Sequence, residues 1–224
     1  MTTISEIMPN IGLGVWKLPK EIAADTVYNA IKEANVRMLD CACDYGNEIE
    51  VGIGIKRAID EGIVKREELF ITSKLWNTYH EKQYVETAIR KSLKDLGLDY
   101  LDLYLIHFPI AQKFVDFNVR YPPEWIYDPN ATNPKIELIN VSYVETWRAL
   151  EQLKEKGLTK HIGCCNINVQ MLMELQCEKH PVEVLQIEIH PFLTQNQLVE
   201  WCKSNNIYVT AFSGFGIIII YKIY

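Results

Sequence analysis

The sequence has no Cys-x-x-Cys pair, no His-x-His and no His-Glu-x-x-His, although it holds six cysteines and five histidines. Structural zinc sites and metallohydrolase centres are built on such spacings, so a metal-dependent barrel enzyme finds little support and no metal is expected. There is no basic stripe. The 23 Lys and Arg are outnumbered by 29 Asp and Glu, giving a formal charge of −6, which argues against a nucleic-acid partner. Long apolar runs are also missing: the longest, 217–221, is too short to span a bilayer, so no membrane partner is expected. No charged head followed by an apolar run opens the chain. With no secretory leader expected, the cysteines read as reduced thiols and the location as cytoplasmic. The Gly-x-Gly-x-x-Gly fingerprint of an open dinucleotide-binding sheet is incomplete at both candidate places. Gly12-x-Gly14 is followed by Lys17, and Gly52-x-Gly54 by Arg57.

What is present is a folded, globular composition, 48% hydrophobic and 23% charged, on 224 residues, enough for one large domain. Seven short apolar runs of strand character begin near Ile11, Arg37, Leu69, Leu101, His161, Val184 and Ile207. Between them the period changes to that of a helix. Ala23, Val27, Ala30, Ile31 and Ala34 form one stripe, Val85, Ala88, Ile89, Leu93 and Leu96 a second, and Tyr143, Trp147, Leu150 and Leu153 a third. Segments 47–61, 168–178 and 195–204 also read as helices. Gly62, Gly97 and Gly157 fall where helix C-termini need a left-handed residue. Strand and helix alternating this often predicts an α/β fold with parallel strands and crossover helices. Without the glycine fingerprint, a (β/α)8 TIM barrel is favoured over the open sheet.

One segment breaks the rhythm. Residues 108–142 carry five prolines and several aromatic residues, and they follow a strand. So long a loop in a compact domain is usually functional, and here it is expected at the catalytic mouth.

In such a barrel the C-terminal ends of the strands converge. Asp40, Lys74, His107, Asn166 and Ser213 end successive runs, Gln186 lies within the sixth, and Tyr45 follows Asp40 on the loop leaving its strand. Singly, each has an ordinary structural explanation: a cap, a satisfied buried histidine, a solvated lysine. Their common topological position makes a site.

The sequence resembles the aldo-keto reductases, most closely the xylose (aldose) reductase branch. The resemblance is carried by Asp40-Cys-Ala-Cys-Asp-Tyr45-Gly-Asn-Glu48, Ile71-Thr-Ser-Lys74-Leu-Trp76, Leu103-Tyr-Leu-Ile-His107-Phe-Pro109, Ile162-Gly-Cys-Cys-Asn166, Leu185-Gln-Ile-Glu-Ile-His-Pro191 and Ala211-Phe-Ser213. It implies an oxidoreductase that reduces a small-molecule carbonyl with NADPH (NADP), or with NADH. It also implies a catalytic tetrad, present as Asp40, Tyr45, Lys74 and His107. Tyr45 is the acid, its pKa expected to be lowered by Lys74. Asp40 holds Lys74 charged, and His107 donates to the substrate oxygen. Asn166 and Gln186 match positions that hold the nicotinamide carboxamide, with Cys165 where Ser is common, Phe212 at the stacking position and Ser213 at the start of the pyrophosphate loop. Trp16, Trp76 and Phe108 match apolar walls of the substrate pocket. Asp44 matches a residue that touches substrate hydroxyls and so favours a polyhydroxy aldehyde.

Against this pattern, no eighth strand, last helices or basic cluster for the 2′-phosphate can be read after Ser213. The expected domain is an incomplete barrel over 1–216, with seven of eight strands and an apolar tail at 217–224. A C-terminally truncated barrel of this kind is expected to fold poorly or bind cofactor weakly. The alternative reading is a non-catalytic barrel serving as a nucleotide-sensing or partner-binding subunit. Oligomeric state cannot be read from the sequence.

Overall fold

A computed structural model describes residues 4–215. Among the described residues there are seven strands: β1 (Leu13–Gly14), β2 (Met38–Asp40), β3 (Phe70–Leu75), β4 (Leu101–Ile106), β5 (Thr159–Cys165), β6 (Val184–Glu188) and β7 (Tyr208–Phe212). They form one sheet in chain order, and every adjacent pair is parallel. After the short α1 (Ile4–Ile7), each step between strands passes through a helix. These are α2 (Lys20–Glu33), α3 (Glu48–Asp60), α4 (Lys82–Leu96), α5 (Tyr143–Glu155), α6 (Val169–Leu175) and α7 (Asn196–Ser204). The sheet curls into a nearly closed barrel. β1 and β7 do not pair, and the Tyr208 hydroxyl donates to Asn10 Oδ1 at 3.3 Å between the two sides. The apolar tail expected at 217–224 lies outside the described residues.

The helices form where the apolar stripes fall. On α4, Val85, Ala88, Ile89, Leu93 and Leu96 are all buried, and Gly97 ends the helix at φ +67°, a conformation that costs glycine little. Gly62 and Gly157 occupy the same left-handed region after α3 and α5. Asn168 caps α6, its side chain accepting from Met171 N at 3.0 Å.

Two apolar clusters result. The larger lies between the strands and the helix ring, where Leu39, Ile71, Tyr104, Ile106 and Leu185 meet Val27, Ile31, Ile55, Ile89, Trp147 and Leu150. The smaller joins Met38, Phe70, Leu103, Leu105, Cys165 and Val184 with Ile4 and Met8. Full burial of each such side chain contributes roughly 1.5–3 kcal/mol.

The pair Gly52-x-Gly54 has a packing role. A Cβ at Gly54 would lie 2.5 Å from the Ala24 carbonyl oxygen, and one at Gly52 would lie 2.6 Å from that of Leu96. These glycines let α3 seat closely between α2 and α4.

Segment 108–142 holds no helix or strand, only an isolated antiparallel bridge between Gln112 and Leu138. Arg120 organises its central turn, donating to the carbonyls of Pro123, Ile126 and Tyr127 at 2.6–3.1 Å. All six cysteines are free, five of them buried. Among the described residues, no helix is long and apolar enough to cross a membrane.

Candidate active site

The strand register explains how the polar side chains meet. Asp40, the last residue of β2, is level with Gly14 of β1 and Thr72 of β3. Lys74 stands two residues farther along β3, so its long side chain can reach back to the end of β2. Its ammonium donates to Asp40 Oδ1 at 2.6 Å, to the Cys41 carbonyl at 2.9 Å and to the Tyr45 hydroxyl oxygen at 3.1 Å. These are all the protons an ammonium has. Tyr45 is placed by a 3-10 turn, Cys43–Tyr45, that closes on Gly46 at φ +71°. His107 follows β4 directly, its backbone N–H donating to the Leu75 carbonyl at 3.1 Å. Its Nδ1 lies 3.0 Å from Asp44 Oδ1.

Asn166 leaves β5 at φ +60° and donates from Nδ2 to the His107 carbonyl at 2.9 Å. Gln186 Nε2 donates to the second oxygen of Asp40 at 2.7 Å. Cys165 is buried and makes only a weak contact, 3.9 Å from Sγ to Gln186 Oε1.

An open cavity of about 850 Å³ lies over this group. Trp16, Asp40, Asp44, Tyr45, Trp76, His107, Phe108, Asn166, Gln186, Phe212 and Ser213 line it. Lys74 and Cys165 do not. Lys74 is fully buried behind the wall and reaches the cavity only through its partners. Trp125 was not foreseen. It comes from the long segment and packs edge-on against Trp76, with ring centres 4.9 Å apart, and against Phe108 at 5.1 Å. The Trp76 indole N–H donates to the Glu124 carbonyl at 3.1 Å, pinning the segment to the cavity wall. The cluster of aromatic residues in 108–142 was the signal, but nothing in the sequence marked this one.

The electrostatics correct one expectation. Burial is the largest influence on Tyr45 and raises its pKa; the Lys74 charge pulls the other way without prevailing. The phenol therefore holds its proton firmly. Burial would depress Lys74, but Asp40, with smaller contributions from Tyr45 and Cys165, raises its pKa well above the ordinary value.

Directly behind the β3 wall is a carboxyl group with no role in the cavity. Glu48 is fully buried and accepts from Ser73 Oγ at 2.6 Å and Ser92 Oγ at 2.8 Å. Burial pushes its pKa from 4.5 up to about 7, against those two hydrogen bonds. A carboxyl whose pKa rises on folding favours the folded state most below its unfolded pKa. That contribution fades as pH climbs through the folded value. The interval corresponds to about 3 kcal/mol. Glu48→Gln is thus expected to gain stability relative to the unmodified chain between about pH 5 and pH 8, as read by urea denaturation at both. An equal gap at the two pH values would contradict this origin.

A barrel of parallel strands with Tyr, Lys, Asp and His gathered at the C-terminal ends of β2, β3 and β4 defines the class: a (β/α) barrel with a polar site at its mouth. The Aldo/keto reductase family model matches residues 10–217, and the chain belongs to that family. It is 53% identical over 210 residues to an NAD(P)H-dependent D-xylose reductase of Pyricularia oryzae, covering 93% of this chain and 64% of that protein. A probable NAD(P)H-dependent D-xylose reductase of Aspergillus fumigatus is also 53% identical, with 93% and 65% covered. The chain therefore spans just under two thirds of the length of these relatives. Among solved structures, a Bombyx mori aldo-keto reductase in complex with NADP superposes with a TM-score of 0.82 at 37% identity, covering 95% of this chain and 65% of that one. A Schistosoma japonicum aldose reductase gives 0.83 at 38% identity, covering 92% and 65%.

Proposed function

We propose that the chain reduces an aldehyde or ketone, with an aldose-like carbonyl as the preferred class, to the corresponding alcohol at the expense of NADPH, or of NADH in its place. The observation that carries the proposal is the disposition of the Lys74 ammonium. All three of its N–H groups are engaged, one of them on the Tyr45 oxygen. The phenol's own proton is therefore left free to donate into the cavity.

The cavity residues suit a nicotinamide. Among the described residues, Gln186 Oε1 meets only the Cys165 thiol, at 3.9 Å, so it can accept from a carboxamide N–H. Asn166 stands beside it, and Phe212 offers an aromatic face for stacking. Ser213, at φ +52°, begins the turn that would follow the pyrophosphate. A bound reduced nicotinamide supplies hydride to the carbonyl carbon. Tyr45 gives its proton to the carbonyl oxygen as charge develops there. The Lys74 cation then stabilises the phenolate, and Asp40 keeps that cation charged and oriented. His107 orients the carbonyl beside Tyr45. Trp16, Trp76 and Phe108 wall the substrate, and Asp44 reaches its hydroxyls. In this reading the chain works in the cytoplasm on a small molecule, with no nucleic acid or membrane involved.

The test is loss of reduced-nicotinamide absorbance with xylose, glyceraldehyde and an aromatic aldehyde, alongside fluorescence titration with NADPH. Turnover of at least one aldehyde is expected. A cooperatively folded chain that binds NADPH and reduces none of them would overturn the proposal.

A further inference from the structure

We propose that Asn47 is a positioning residue for substrate binding: it clamps both ends of the turn that carries Trp16 and so holds that ring at the cavity. The inference rests on the reductase reading above and adds to it a determinant of substrate affinity.

Trp16 and Lys17 are the central residues of a turn between β1 and α2, closed by the Leu18 N–H donating to the Val15 carbonyl at 3.1 Å. Lys17 sits at φ +59°, whereas Trp16 has a negative φ. A positive φ at the third turn position alone is the type II pattern, which favours glycine there. With a lysine in that place the turn is strained, and its shape has to be held from outside. The Trp16 ring does not hold it. Trp16 is 53% exposed, and the Lys17 ammonium, on a side chain that is also exposed, lies 4.3 Å from its ring centre. Its place in the cavity wall is therefore set by the backbone beneath it.

Asn47 supplies the hold. It is buried, and its Nδ2 donates to the Val15 carbonyl at 2.9 Å and to the Leu18 carbonyl at 3.0 Å. A side-chain amide has two N–H donors, and both are spent on the two ends of one turn. Its Oδ1 is buried and meets no donor among the described residues. The reverse orientation would set that oxygen against two carbonyl oxygens, so the amide can face only one way.

Asn47 follows Tyr45 by two residues, so the clamp joins the Trp16 turn to the segment that carries the phenol. That segment keeps its own shape without the Asn47 side chain. Tyr45 N donates to the Ala42 carbonyl at 3.1 Å, Gly46 N to that of Cys43 at 3.3 Å and Val51 N to that of Asn47 at 3.0 Å, and the Tyr45 hydroxyl lies against Lys74. Removing the side chain therefore frees Trp16 and spares Tyr45.

Two readouts test this on the 224-residue chain. The first is 15N–1H correlation of the five tryptophan indoles, with the Trp16 signal assigned by its loss in Trp16→Phe. In Asn47→Ala the Trp16 signal is expected to move toward that of a free indole. The Trp147 signal, held by the His180 carbonyl at 3.0 Å, should stay in place and reports that the barrel is folded. The second is steady-state kinetics with an aromatic aldehyde. Asn47→Ala is expected to raise KM roughly three- to tenfold, the range set by losing one aromatic contact, with kcat largely kept. Trp16→Ala should raise KM to a similar degree, and the double variant no further than Trp16→Ala alone, because Asn47 acts only through that ring. If Asn47→Ala does not fold, Asn47→Ser, which also lacks the paired donors, takes its place in both measurements.

An unmoved Trp16 signal in the folded variant overturns the proposal. So does a KM that rises as much in the Trp16→Ala background as in the unmodified chain, or a loss confined to kcat. A released Trp16 signal in a chain that binds NADPH but reduces nothing supports the clamp and instead defeats the reductase reading.

Discussion

Tyr45→Phe is expected to lower kcat for carbonyl reduction by about 10²–10⁴-fold, the range typical of losing a positioned general acid. Affinity for NADPH should be unchanged. The ring itself remains, so the packing against His107, with ring centres 5.9 Å apart, survives. Only the hydroxyl is lost, and with it the proton on which the proposed reduction draws. The direction of the Tyr45 pKa makes this effect large. Because burial raises it, the phenol is fully protonated near neutral pH and a poor acid in isolation. Its proton leaves readily only when the phenolate forms 3.1 Å from a cation, and Lys74 provides one. The substitution also leaves Lys74 with one buried N–H unpaired, which costs about 1–3 kcal/mol. Stopped-flow reduction of an aromatic aldehyde, with chemical denaturation as a control on folding, separates the two consequences. Full activity in a folded Tyr45→Phe protein would show that the proton comes from elsewhere.

Much of this site was legible because a parallel barrel turns chain position into spatial position. A residue at the end of a strand has only one place to go. Asp40, Lys74, His107 and Asn166 could therefore be brought together from the sequence with no knowledge of the helices between them. The strand count and the Gly-terminated helices were legible for the same kind of reason, being written in local periodicity and backbone preference. What escaped depends on distances across the fold. Glu48 reads as an ordinary first-turn acid of α3. Nothing local says that Ser73 and Ser92, from β3 and α4, enclose it. Trp125 and the Arg120 turn lie in a segment with no period to follow. The net direction of the Tyr45 pKa escaped as well, because a sequence can name the neighbouring lysine but not how much water has been excluded. Gly52-x-Gly54 fails as a nucleotide loop for want of its third glycine, but the close helix packing its spacing serves depends on contacts across the fold.

Lys74→Met is expected to be the most damaging single change to both stability and turnover. The side chain is fully buried, whereas that of Asp40 keeps 18% of its surface in contact with solvent. Breaking a buried pair by removing one partner typically costs about 3–5 kcal/mol, because the other charge is stranded. The partial exposure of Asp40, together with its bond from Gln186 Nε2 at 2.7 Å, places this case near the lower bound. The stranded charge is the main cost, so removing it as well should recover stability. The double variant Lys74→Met/Asp40→Asn, which keeps an acceptor for Gln186, is expected to denature at a higher urea concentration than Lys74→Met alone. Turnover should not return, since neither protein has a cation beside the phenol. A double-mutant cycle on unfolding free energy measures the coupling. Equal destabilisation in the single and double variants would mean that the pair contributes packing but no electrostatic stabilisation. Recovered activity in the double variant would remove Lys74 from the proton-transfer step altogether.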